Sequence, residues 1–185
     1  LLGVKQGGHI NAVGFSLYTR LLSEAVEDIR YRQRGEKAPR TRHLPQTTVD
    51  LPLAAFIPEE YVPDVSVRLR LYHRMADIKD EDELGNLAAE FEDRFGPAPL
   101  EVKNLLFVVN IRLKAVKAGV RSVATEDSRI VLRLVDGLQL DRQKTAKLPG
   151  SGITMGRTQL NIEYKRFGKD WGKKLEQVLD TLKLT

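Results

Sequence analysis

A change of hydrophobic period at Gly119 constrains the fold of this chain more than any other feature. From Leu100, apolar residues recur at helical spacing, with Val102, Leu105, Leu106, Val109, Leu113 and Val116 on one face and Phe107, Val108 and Ile111 widening it. Apolar cover that broad predicts a buried central helix. Gly119 suits a left-handed cap, and beyond it the period falls to two. Val120 to Ala124 and Arg129 to Val135 read as strands of a hairpin turning at Glu126-Asp127-Ser128, and Thr158 to Tyr164 as a further strand. Helices first and strands later, without a βαβ rhythm, predict an α+β fold. Its expected parts are a helix-rich N-terminal half with a long buried central helix, then a small, mostly antiparallel sheet and a C-terminal helix.

The remaining elements fit around that switch. Phe15, Tyr18, Leu22, Ala25, Val26 and Ile29 predict an amphipathic helix from Asn11 to about Arg34, ended by Gly35. Residues 30–46 read as a basic linker punctuated by Gly35, Pro39 and Pro45, which places a domain boundary near residue 46, between segments 1–46 and 47–185. Residues 47–53 read as a strand that Pro52 confines to a sheet edge, and Pro58 and Pro63 bracket a single turn. Asp64 caps a helix to about Ile78, with Val65, Leu69, Tyr72 and Ala76 on one face. Another helix starts near Asp80 with the stripe Leu84, Leu87, Ala88, Phe91 and Phe95, ending at Gly96-Pro97. Residues 138–147 are ambiguous, with a short helix the expectation. A last helix from about Lys169 carries Trp171, Leu175, Val178, Leu179 and Leu182 on one stripe.

Little in the chain suits catalysis. The absence of cysteine excludes disulfides, thiol nucleophiles and Cys-based zinc sites. His9, His43 and His73 lack the spacing of a helical metal pair, so no metal site is expected. Gly168-Lys169-Asp170 and Gly172-Lys173-Lys174 lack the hydroxyl of a phosphate-binding loop, and residues 150–156 read as a turn between strands. Asp80 to Glu83 could pair carboxylates on magnesium, but four acids at a helix start are ordinary dipole complementation. No apolar run is long enough to span a membrane. These features predict a cytoplasmic, monomeric, non-catalytic piece.

Charge is distributed in blocks. Asp77 to Asp93 holds eight acids against Lys79, whereas Arg142 to Lys174 holds nine bases against Glu163 and Asp170. Within the linker, Arg30, Arg32, Arg34, Lys37, Arg40 and Arg42 are possible phosphate contacts and, with the basic C-terminal third, make an accessory DNA-binding module the alternative reading, although a solvated connector explains the linker as well. Glu90, Asp93 and Arg94, at i, i+3 and i+4, form one ridge of the second acidic helix, away from its apolar stripe. Carboxylates beside a guanidinium on a packed helix suit recognition of an Arg-bearing partner surface. An intrahelical Glu90 to Arg94 pair is the simpler reading of the same spacing.

Five motifs in order carry a resemblance: residues 1–10 (LLGVKQGGHI), 13–18 (VGFSLY), 50–53 (DLPL), 57–64 (IPEEYVPD) and 93–97 (DRFGP). Together they resemble the C-terminal part of bacterial transcription-repair coupling factor, from residue 1 to about 120. Gly7 stands where the family pattern more often has Ser. The resemblance implies a parent that is an ATP-driven double-stranded DNA translocase, which pushes RNA polymerase off lesions and recruits nucleotide excision repair. Leu1 to Gly8, with Gln6, Gly8 and the neighbouring His9, is similar to the tail of its translocation motif; ATP and Mg would belong to motifs upstream. Residues from about 47 onward resemble the family's terminal regulatory domain. That domain docks, without a catalytic role, onto the N-terminal module that binds the damage-recognition ATPase. The positions matching that dock are Glu90, Asp93 and Arg94.

Overall fold

A computed structural model describes residues 47–140, 148 and 152–182. The expected helix at 11–34, the linker, the boundary near 46 and most of the ambiguous stretch 138–147 lie outside the described residues. The described residues divide into two compact units, one of residues 53–109 and the other of residues 47–52 with those from 110 onward.

The first unit opens on the proline-bracketed turn, where the Tyr61 and Val62 amides both donate to the Pro58 carbonyl at 3.2 and 3.1 Å. Helix α1, Val65–Asp77, starts where the Asp64 side chain accepts from the Ser66 and Val67 amides. It buries Leu71, Tyr72 and Met75. The apolar face expected to begin at Val65 is corrected. Val65 is 57% exposed and none of residues 65–70 is buried, because burial begins only in the second turn. Helix α2, Glu81–Phe95, is capped by Asp80 and buries Leu87 and Phe91, with Leu84, Ala88 and Phe95 half-buried, as the stripe predicted. It stops at Gly96, whose φ of 82° is open to glycine without strain.

Helix α3, Leu100–Lys117, begins in the first unit and passes into the second at Val109 and Asn110. Val102, Leu105, Val108, Val109, Ile111, Leu113 and Ala115 are buried, which confirms a central core helix. Val116 is not part of that face, being 59% exposed; in the last turn the small residues Ala115 and Ala118 take the inward positions instead.

In the second unit the period switch produces the expected sheet. Strand β2, Val120–Glu126, and β3, Arg129–Leu134, form the hairpin, with Glu126 opposite Arg129 and Asp127 at φ 53° in the turn. Five strands lie in the order β1-β2-β3-β5-β4, where β1 is Thr48–Asp50, β4 is Ile153–Met155 and β5 is Gln159–Ile162. Only β1 runs parallel to its neighbour, and it lies at an edge, as Pro52 required. Thr47 Oγ1 donates to the Val120 carbonyl and Thr125 Oγ1 to that of Asp50, holding this short strand at both ends. Register aligns Val49, Val123, Leu132 and Leu160 across the buried face.

Three expectations are corrected here. Residues 150–156 do not form merely a turn, since Ile153-Thr154-Met155 pair with β5 as an edge strand, consistent with a β-branched start. The strand expected to reach Tyr164 stops at Ile162, and Tyr164–Asp170 is a 3₁₀ segment kinked at Gly168, φ 51°. The final helix α4 therefore begins at Trp171, not Lys169, and buries Leu175, Val178, Leu179 and Leu182. Asn110 Nδ2 donates to Glu176 Oε1 at 2.7 Å and Lys114 Nζ to Asp180 at 2.9 Å, tying α4 to the second half of α3.

One buried hydrogen bond gives a stability test. The Ile57 amide donates to the Tyr72 hydroxyl at 2.8 Å, so Tyr72→Phe leaves a buried N–H without that acceptor. A loss of about 1–3 kcal/mol is expected in denaturant unfolding; an unchanged midpoint would show that the bond is not made.

Candidate functional site

The surface that the acidic ridge occupies is built by the last turn of α2. Leu87 and Phe91, at 1% and 0% exposure, turn one side of the helix inward and fix the opposite side outward. Tyr61 locks the end of that helix. Its ring lies 6.2 Å from that of Phe91 and 5.8 Å from that of Phe95, and its hydroxyl lies 2.8 Å from the Gly96 carbonyl and 3.1 Å from that of Phe91. The phenol has one proton to donate, and the Gly96 carbonyl is the nearer acceptor, so the bond ties the residue that follows α2 to the turn before α1. Burial, and then the nearby Glu92 carboxylate, raise the Tyr61 pKa above the ordinary phenol value.

Sequence reasoning placed Glu90, Asp93 and Arg94 on one ridge, and the structure assigns them different tasks. Glu90 is a clasp: its Oε1 accepts from Arg94 Nη1 at 2.5 Å on the same helix, and its Oε2 accepts from Arg74 Nη1 at 2.6 Å on α1. The intrahelical pair is therefore present, but it is half of a link between two helices. Hydrogen bonds from Arg74 and then Arg94 lower the Glu90 pKa against a smaller opposing effect of burial. Arg94 is further held by its guanidinium lying 5.0 Å from the Phe95 ring centre. Asp93, on the exposed side, takes part in no ion pair among the described residues. An open carboxylate thus sits next to a guanidinium whose orientation is already set, and whose side chain is still 46% exposed.

Arg74 and Tyr61 were missed in the sequence. Arg74 precedes Glu90 by sixteen residues on another helix, and no periodicity links the two. The only signal for Tyr61 was its place between Pro58 and Pro63.

The other candidate chemistry resolves into structure or falls outside it. At the acidic helix start, Asp80 accepts from the Glu83 amide and Glu83 from the Lys79 amide, both at 2.8 Å. Two of those four acids are therefore capping groups. Among the described residues no three His, Asp or Glu side chains gather as metal ligands, and no helix is long and apolar enough to cross a membrane. Gln6, Gly8, His9, Arg30, Arg32, Arg34, Lys37, Arg40 and Arg42 lie outside the described residues.

The clasp sets a pH dependence. A Glu90 pKa below its unfolded value means that the ionised clasp contributes fully above about pH 4.3, and that the contribution is lost as pH falls through the folded value. Glu90→Gln should lower the thermal midpoint modestly near neutral pH, and its difference from wild type should shrink as pH falls through and below the ordinary glutamate range. A difference that stays constant over that range would contradict the clasp.

Comparison with known proteins agrees with this architecture. The family model of the TRCF domain matches residues 51–145. The transcription-repair-coupling factor of Escherichia coli strain K12 is 34% identical over 136 residues, covering 74% of this chain and 12% of that protein. The Staphylococcus aureus strain USA300 protein of the same name is 34% identical over 134 residues, covering 72% and 11%. A crystal structure of the C-terminal domain of transcription-repair coupling factor superposes with a TM-score of 0.64 at 20% identity, over 74% of this chain and 91% of that one. The motifs at 57–64 and 93–97, and all of the motif at 50–53 but Asp50, fall within the family match, and the α+β architecture is shared with a solved terminal domain: the chain belongs to the TRCF domain family.

Proposed function

We propose that this chain is a non-catalytic regulatory domain of a transcription-repair coupling factor, and that it acts by docking on the N-terminal repair-protein-binding module of the same polypeptide. In this reading the parent is an ATP-driven translocase on double-stranded DNA that displaces stalled RNA polymerase. Docking covers the module that recruits the damage-recognition ATPase, and release uncovers it. The family supports a terminal-domain role, and the curated relatives are about eight times the length of the part matched here.

The observation that carries the docking mechanism is the division of labour along α2. Glu90 spends both oxygens on Arg74 and Arg94, which leaves Asp93 as the acceptor and Arg94 as the positioned donor of a ready-made pair. A partner surface offering an arginine to Asp93 and an acceptor to Arg94 would meet groups that lose little side-chain freedom on binding. The surroundings favour a basic partner: residues 53–109 hold twelve acids against six bases. Such a contact is modest in affinity when partly exposed, which suits an interaction that must release.

Asp93→Lys tests this directly. Its side chain is exposed, so the fold should be unaffected, while affinity for the N-terminal module in trans should fall about tenfold or more. In the full-length protein the same change should unmask binding of the repair ATPase. Unchanged affinity and unchanged masking would count against the ridge.

A further inference from the structure

A second charged surface lies in the other unit and is independent of the ridge. Between Tyr164 and Lys174 the chain places Lys165, Arg166, Lys169, Lys173 and Lys174, with Asp170 the one acid among them. All but Lys174 are exposed. Local ion pairs take up little of this charge: Arg166 reaches Glu163 at 2.9 Å, and Lys173 lies 3.5 Å from Asp170 with both side chains more than three-quarters exposed. Lys165 and Lys169 make no ion pair among the described residues.

The segment is held in place. Gly152 has φ 107°, and a Cβ there would come within 3.0 Å of Arg166 Cδ and 3.5 Å of the Phe167 ring, so both side chains lie directly over this glycine. The Glu163 amide donates to the Gly152 carbonyl at 2.8 Å. Tyr164 meets Trp171 edge to face at 6.0 Å, and the Lys174 ammonium lies 5.9 Å from the Phe167 ring centre. A cationic platform fixed by packing loses less freedom on binding than a tail of the same composition.

We infer that Tyr164–Lys174 is a binding surface for the phosphate backbone of duplex DNA. The cations supply sequence-independent phosphate contacts. Single-strand recognition needs aromatic faces on which bases stack, but here Tyr164 and Trp171 pack on each other and Phe167 lies between Gly152 and Lys174. The rings build the platform, and the ammonium groups contact the ligand. Residues 53–109, with twelve acids against six bases, repel a polyanion, so among the described residues the contact falls on this segment.

The test is fluorescence anisotropy of the whole chain with a labelled 25-base-pair duplex, titrated at several salt concentrations. Binding in the range of about 10⁻⁶–10⁻⁴ M near physiological salt, tightening as salt is lowered, is expected. Lys165→Ala/Lys169→Ala/Lys173→Ala should weaken binding at low salt and reduce the slope of log affinity against log salt by up to about 3. Lys165→Glu alone, at an exposed site, should weaken it as well. Absence of duplex binding at low salt, or wild-type binding by both variants, would overturn the inference. So would tighter binding of the single strand, or equal competition by polyglutamate at matched charge, which would point to an acidic protein instead.

Discussion

The burial of Phe91 under Tyr61 is the contact on which the rest of the site depends. Phe91 is fully enclosed, and Tyr61 stacks on it while its hydroxyl reaches the carbonyls that close α2. A helix end is normally its most mobile part, because its carbonyls lack partners and its last turn frays. Here the stacking of Tyr61 on Phe91 and the hydrogen bond from its hydroxyl to the Gly96 carbonyl hold that end to the preceding turn. The side chains on the outer face of that turn therefore inherit a fixed position, and a ridge of three charged residues can act as a shaped surface.

Electrostatics then separates residues that look equivalent in sequence. Glu90 is two-thirds of the way along the helix and meets Arg74 from α1, so it becomes a strut that accepts from two guanidinium groups. Asp93, three residues on, is exposed and makes no ion pair among the described residues. The contribution of Glu90 is mostly orientation, since exposed ion pairs add little stability on their own. In the other unit the opposite sign prevails, with a packed 3₁₀ segment carrying the cations. One small chain thus presents an acidic surface and a basic surface on different units, as two separate sets of partners would require.

Much of this was legible in the sequence. The period switch at Gly119, the caps at Asp64 and Asp80 and the edge strand marked by Pro52 each follow from local chemistry, and each is present. So is the α2 stripe, from which the outward position of Glu90, Asp93 and Arg94 follows. What escaped reading depends on contacts between distant residues. Arg74 joins Glu90 only because of how α1 and α2 pack, and Tyr61 caps α2 from thirty residues away. Val65 and Val116 obey helical periodicity yet lie beyond the reach of the core, since a pattern records which side faces inward but not how far burial extends. Strand β4 is three residues long and flanked by glycines, too short to register as alternation.

The central claim is that the last turn of α2 is where a partner lands. Amide chemical-shift mapping of the labelled chain, titrated with the N-terminal repair-protein-binding module, tests it most directly. The account predicts shifts concentrated at residues 90–96, with Arg74 affected through Glu90 and the Tyr164–Lys174 segment unmoved. Shifts centred on any other surface, with residues 90–96 silent at saturation, would contradict it.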